Sequence, residues 1–341
     1  KYFGSATPVA VSAGKVASGI NESLAIGGAI AGTVAGPGGG ALDPAAQVLV
    51  AILDQDGDYV SAGYVDSHGN YRVSGLPTGE YVVEVRDWSG TYLKRYSGNA
   101  ATFEAASRVV VGAGQTADNV DVQLMVGGVI SGVVTGPNGA PLDGWDSGSV
   151  SVLTTEGNYV ANGYVDPQGA YRVGSLPAGT YKVVVHTYEG PFTTTYYGGT
   201  TKFDDAGTVT VALGAETSGR DIAMIRGGSI TGRLTTDDGG ALGSDARVCA
   251  SAVANEESYG CSEVSGEGLF AIHGLQGGQH TVRADTSGGY LESYFPGVAD
   301  YSAATRVAVV LGQATSGIDF ELTMGGAIEG RILAPKGMSL D

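Results

Sequence analysis

One glycine-flanked segment occurs four times along the chain, and it limits the fold more than any other feature. Gly27-Gly28-Ala29-Ile30-Ala31-Gly32-Thr33-Val34 returns as Gly127-Gly128-Val129-Ile130-Ser131-Gly132-Val133-Val134, then as Gly227-Gly228-Ser229-Ile230-Thr231-Gly232-Arg233-Leu234, and in part as Gly325-Gly326-Ala327-Ile328. A fixed period marks serial copies of one unit, and a period of about 100 residues is the size of a small domain with its own core. The expected organisation has three whole repeats at 27–126, 127–226 and 227–324. Residues 1–26 read as closing strands of a preceding repeat, because Val9 and Val11 match Val109 and Val111. Residues 325–341 read as the opening strand of a following repeat, so the expectation is a stretch of a longer array.

Within each repeat the apolar residues alternate with period two, the signature of half-buried strands. In the first repeat the pattern runs through Ile30 and Val34, Val48, Val50 and Ile52, Tyr71 and Val73, Tyr81, Val83 and Val85, and then Val109, Val111, Val120, Val122 and Leu124. Asp56-Gly57, Gly69-Asn70 and Pro77-Thr78-Gly79 supply the turns. About seven short strands per hundred residues need two sheets packed face to face. The expected fold class is therefore all-β: tandem seven-stranded, Ig-like or prealbumin-like β-sandwiches. A glycine inside a strand marks a close approach, and an aromatic ring is expected over Gly32, Gly132 and Gly232. Tyr59, Tyr159 and Tyr259, like Tyr96, Tyr196 and Tyr294, recur in register and are expected in the core or at corners. No flexible linker separates the repeats, so a stiff rod is expected.

The 341 residues carry 18 basic and 35 acidic side chains, a net charge of -17, which excludes a phosphate polymer as partner. No apolar stretch approaches the roughly 20 residues of a membrane helix, so no membrane span is expected in this segment. HExxH, CxxC, P-loop and G-x-S-x-G motifs are all absent from the sequence. The four histidines fall at different places in their repeats, and His280 takes the slot of Tyr81 and Tyr181, which points to packing. No catalytic or cofactor site is expected, and no enzyme in this segment. Asp54, Asp56 and Asp58 are weighed as a calcium loop, since hard cations want clustered carboxylates. Gly57 comes too early for an EF-hand, and the second repeat offers only Thr154, Glu156 and Asn158, so an ordinary hairpin turn is favoured.

Cys249 and Cys261 flank residues 255–258 and would stand opposite each other in a hairpin, within reach of a disulfide. A disulfide fits an oxidising, extracellular setting. Trp88 and Tyr188 follow the same strand in their two repeats, and Trp145 lies in a first-to-second-strand connection. These three aromatics form the candidate glycan platform.

The order Gly-x-Ile-x-Gly, Pro141-Leu142, Val165-Asp166-Pro167-Gln168-Gly169-Ala170-Tyr171-Arg172-Val173 and Leu176-Pro177-Ala178-Gly179-Thr180-Tyr181 resembles the carboxypeptidase regulatory-like domains. These are grouped with the prealbumin-like, CnaB-type and starch-binding-like folds of secreted bacterial surface proteins. The resemblance covers all three repeats and implies an extracellular, non-catalytic sandwich. Some B-type relatives carry a Lys-to-Asn isopeptide bond with the lysine on the first strand. Thr33, Val133 and Arg233 stand there instead, so no such crosslink is expected. The expected function is a structural array, as the stalk, spacer or filament segment of a secreted or surface protein. The alternatives are a carbohydrate-binding appendage of a secreted polysaccharide-degrading enzyme such as an α-amylase, or an adhesin with a protein partner. Self-association into fibres along sheet edges is open to such a fold, with the acidic surface opposing it at low salt.

Overall fold

The computed structural model describes residues 7–21, 24–139, 148–187, 190–239, 242, 246–254, 259–286 and 289–331. Among these residues there is no α-helix, and strands carry the whole architecture. The first repeat runs β1 (Gly28–Ala35), β2 (Val48–Leu53), β3 (Tyr59–Tyr64), β4 (Asn70–Leu76), β5 (Gly79–Asp87), β6 (Arg95–Tyr96), β7 (Val109–Val111), β8 (Thr116–Ala117) and β9 (Val122–Gln123). Seven of these make the sandwich frame, and the two-residue β6 and β8 add short rungs. One sheet has the order β3-β2-β5-β6 with β7 also on β5, and the other has β4-β1-β8 with β9 also on β1. Neighbours run antiparallel except where β1 meets β8 and β9, which it pairs in parallel. The second and third repeats reproduce both sheets.

The alternation read in the sequence places one side of each strand between the sheets. Ile30 and Val34 from one sheet meet Val50, Ile52, Val83 and Val85 from the other in a fully buried cluster. Separate clusters form around Ile130, Val152 and Met224 in the second repeat, and around Ile230, Val248 and Phe320 in the third. The third core trades volume between positions. Phe320 stands where Val122 stands in the first repeat, and the same cluster has Ala250 and Ala284 where the first has Ile52 and Val85. Phe270 meets Phe320 edge to face at 6.4 Å, a favoured geometry for ring quadrupoles.

Gly32, Gly132 and Gly232 are the direct cross-strand partners of Tyr71, Tyr171 and Phe270, the aromatic residues expected at these glycines, and a backbone carbonyl comes closer still. What comes close is backbone. A Cβ on Gly132 would lie 2.5 Å from the Arg220 oxygen and 2.6 Å from its carbonyl carbon. The tyrosine then holds that carbonyl: Tyr71 donates its hydroxyl to Val120 O at 2.7 Å, and Tyr171 donates to Arg220 O. Burial, with the Asp121 charge behind it, pushes the Tyr71 phenol pKa up, so it remains a donor. In the third repeat Phe270 has no hydroxyl, and its ring touches the glycine position directly.

The chain divides into two compact units, Lys1–Met125 and Val126–Asp341. Among the described residues the first holds the core around Ile30 and a smaller cluster of Leu53, Val82, Tyr96 and Ala106, and the second holds the cores of the second and third repeats. Inside the second unit, Phe192–Thr193 of the second repeat pairs with Ile225–Arg226 just ahead of the third, and Gly227 donates its N–H to Pro191 O. Gly274 of the third repeat lies under this seam at φ +71, and a Cβ there would sit 2.7 Å from Phe192 O. Residues 7–21 and 24–27 form no strand, and Val16 and Leu24 are exposed. In whole repeats such closing residues pair with a first strand, and β1 is already occupied by β8 and β9.

Candidate functional surface

A strand that points Val48, Val50 and Ile52 inward must point Leu49, Ala51 and Leu53 outward. On the outer face of the first repeat these three form the floor of a groove of about 490 Å³. Tyr96 and Phe103 wall one side, packed edge to face at 6.4 Å. Tyr59 stands on the other side, opposite Leu53 in the strand register. Tyr59, Tyr159 and Tyr259 are 67%, 62% and 69% exposed, so of the two places expected for them, core or corner, the core is ruled out. Each opens the outermost strand of its sheet on the solvent side. Tyr96, by contrast, is buried, and Tyr196 and Tyr294 are half-buried.

The base of the groove is charged. Glu84 is 2% exposed, an unusual place for a carboxylate unless it is paired. Arg86 Nε meets one of its oxygens, and Lys94 Nζ lies 3.6 Å from the other. In the second repeat Lys182 lies over the same floor: it is buried, donates to Phe203 O at 2.6 Å and sits 4.0 Å from the Phe203 ring centroid. The third repeat has a groove of about 480 Å³ on the same face, with Tyr259 on one side and Tyr294 and Tyr301 on the other. Arg247 and Arg283 line its base, both bound to Asp285 at 2.9 and 3.1 Å, with Arg283 also 3.2 Å from Glu292. Flat rings beside planar ion pairs can hold a polar chain that has an apolar face. Sequence reasoning missed Glu84, Arg86 and Arg283; the available signal was charge at the outward positions of a strongly apolar strand.

The Cys249–Cys261 disulfide lies on the floor of the third groove, its Cα atoms 4.0 Å apart and its residues directly paired across the strands. Trp88 is 65% exposed, at the head of a loop built on Asp87. The Asp87 carboxylate accepts N–H bonds from Ser89, Thr91 and Tyr92, each at 2.9 Å. Burial works to raise its pKa, but these bonds and the Ser89 hydroxyl outweigh it and hold the pKa below the ordinary value. Tyr188 and Trp145, the other two members of the candidate platform, lie outside the described residues. Asp54 spends its carboxylate on its own turn, accepting from the N–H of Asp56 at 3.0 Å and of Asp58 at 2.9 Å. His280 is fully buried with Nδ1 3.3 Å from Gly278 O, and burial holds its pKa down.

The first-strand positions expected to lack a crosslinking lysine have a different partner. The backbone N–H of Thr33, Val133 and Arg233 donates to Asp121, Asp221 and Asp319 at 2.8, 2.9 and 2.8 Å. This repeated bond ties each first strand to the run leading into its last.

No protein-family model matches the sequence, and no curated protein matches it. Among solved structures, the chain is similar to the TIE protein of Bacillus anthracis at 14% identity, over 87% of this chain and 51% of that one, with a TM-score of 0.25. It is similar to GBS52, the minor pilin of Streptococcus agalactiae, at 15% identity over 60% of this chain and 99% of that one, TM-score 0.29. The corresponding values for BcpA, the major pilin subunit of Bacillus cereus, are 12%, 88%, 100% and 0.22. Likenesses this distant carry no argument about what the chain does.

Proposed function

We propose that this chain is a non-catalytic structural array, the stalk, spacer or filament segment of an extracellular or cell-surface protein. The observation that carries the reading is the presence of three separate buried cores, each with its first strand held in parallel against its own closing strands. A disulfide on the sheet face suits an oxidising compartment. Among the described residues no helix is long and apolar enough to cross a membrane. End-to-end or edge-to-edge self-association belongs to the same reading, and the net charge of -17 makes it stronger at high salt.

Single-molecule pulling tests this. The expected trace has three discrete unfolding events, each releasing about 30–35 nm of chain at the extended length per residue. One event for the whole chain, or gradual extension at low force, refutes the reading.

A second reading, binding of a polysaccharide, is favoured by the aromatic grooves of the first and third repeats rather than by Trp88. Affinity electrophoresis on a panel of polysaccharides, with Tyr59→Ala and Tyr259→Ala as controls, decides it: retardation lost in the variants supports it, and free migration on every glycan removes it.

A further inference from the structure

We propose that the Cys249–Cys261 bond is a thiol-exchange site, opened by low-molecular-mass thiols while the third repeat stays folded. The fold does not require the bond. Ala51 faces Ala62 in the first repeat, Ser151 faces Asn162 in the second, and Cys249 faces Cys261 in the third, all in the same strand pair. Two sister repeats hold that pair together without a crosslink, so the ladder survives when the bond opens. It also keeps the two thiols adjacent for closure, with their Cα atoms 4.0 Å apart.

Access and electrostatics fix the direction of attack. Cys261 is exposed in the groove, whereas Cys249 is 9% exposed. An incoming thiolate therefore bonds to Cys261 Sγ, the Cys249–Cys261 bond breaks, and the electron pair leaves on Cys249 as a thiolate. Arg283 is the direct partner of Cys249 on the opposite neighbouring strand, and Arg247 lies two residues before Cys249 on the same face. Cations beside a sulfur favour its thiolate, and a better leaving group departs faster. Asp285 and Glu292 hold the guanidiniums in place. A second thiol then attacks the small-molecule sulfur of the mixed disulfide and frees Cys261. Overall, two thiols are oxidised to their disulfide and the cysteine pair is reduced, taking up their two protons. The reverse sequence closes the bond.

The test incubates the native protein with reduced glutathione and follows alkylated cysteines by mass spectrometry, with hydrogen exchange reporting the fold. The bond is expected to open in buffer at a rate within about tenfold of that in denaturant, with strand protection in the third repeat retained. In a Cys249→Ser variant, oxidised glutathione is expected to add to Cys261. Arg283→Gln is expected to slow opening several-fold. Opening confined to denaturant concentrations that melt the third repeat overturns the proposal, as does a Cys261 that takes no adduct in Cys249→Ser. An unchanged rate in Arg283→Gln overturns the assigned leaving group.

Discussion

Replacing Gly132 by alanine isolates the close approach on which every repeat is built. The added Cβ would stand 2.5 Å from Arg220 O, where ordinary contact begins at 3.4 Å, so strand and carbonyl must part by nearly an ångström. The neighbour cannot yield by rotating a side chain, because it is backbone. Overpacking of this kind costs about 1–3 kcal/mol. The displacement also breaks two bonds at that residue, from Tyr171 OH to Arg220 O and from Arg220 N to Ser131 O, each worth roughly 0.5–1.5 kcal/mol. The expected loss is about 2–6 kcal/mol, which for a unit of this size lowers the melting temperature by roughly 10 °C or more. Calorimetry gives the size of the effect, and hydrogen exchange in peptides from 127–226 places it. Gly266→Ala is the control, because nothing lies within 4 Å of a Cβ there. If Gly132→Ala and Gly266→Ala both stay within about 0.5 kcal/mol of the parent, the range for neutral surface changes, the carbonyl contact does not constrain the fold.

Ser175 holds φ 57 where Gly75 and Gly274 hold 77 and 71, so Ser175→Gly should raise the stability of the second repeat by about 0.5–1 kcal/mol, measured by urea unfolding. Asp87→Ala should cost about 2 kcal/mol by orphaning the loop amides it accepts from, and exchange at Ser89, Thr91 and Tyr92 should quicken; unchanged exchange contradicts the loop assignment. His280 binds its proton at lower pH when folded than when unfolded, because burial holds its pKa down. Its contribution is full above the unfolded value of about 6.5 and falls as pH drops through that value towards the folded one. His280→Tyr should flatten this part of the third repeat's stability profile, and an unaltered slope would assign it to other groups.

Much of the fold is legible because strand periodicity and turn chemistry are local. The opposition of Cys249 and Cys261 follows from a hairpin whose register depends only on the residues between them. What approaches Gly32 is not local: Val120 lies far along the chain, and a glycine in a strand signals an approach without naming its source. Tyr59, Tyr159 and Tyr259 show a second limit. Recurrence in register fits a core position and a groove wall equally, and only the sheet order, which puts β3 outermost, separates them. Glu84 is hidden for a related reason. Alternation marks it as outward, but Arg86, Lys94 and the aromatic wall of Tyr96 and Phe103 close over the outward face there.

The parallel run of β1 beside β8 and β9 sets how a repeat meets tension. Force enters at the start of β1 and leaves after β9, and because these strands point the same way, their ladder is loaded in shear along its length. Bonds in shear share the load and must give way together, whereas a hairpin pulled at its open end unzips one rung at a time. The Thr33–Asp121 bond lies between the β8 and β9 contacts, so it strains along with them.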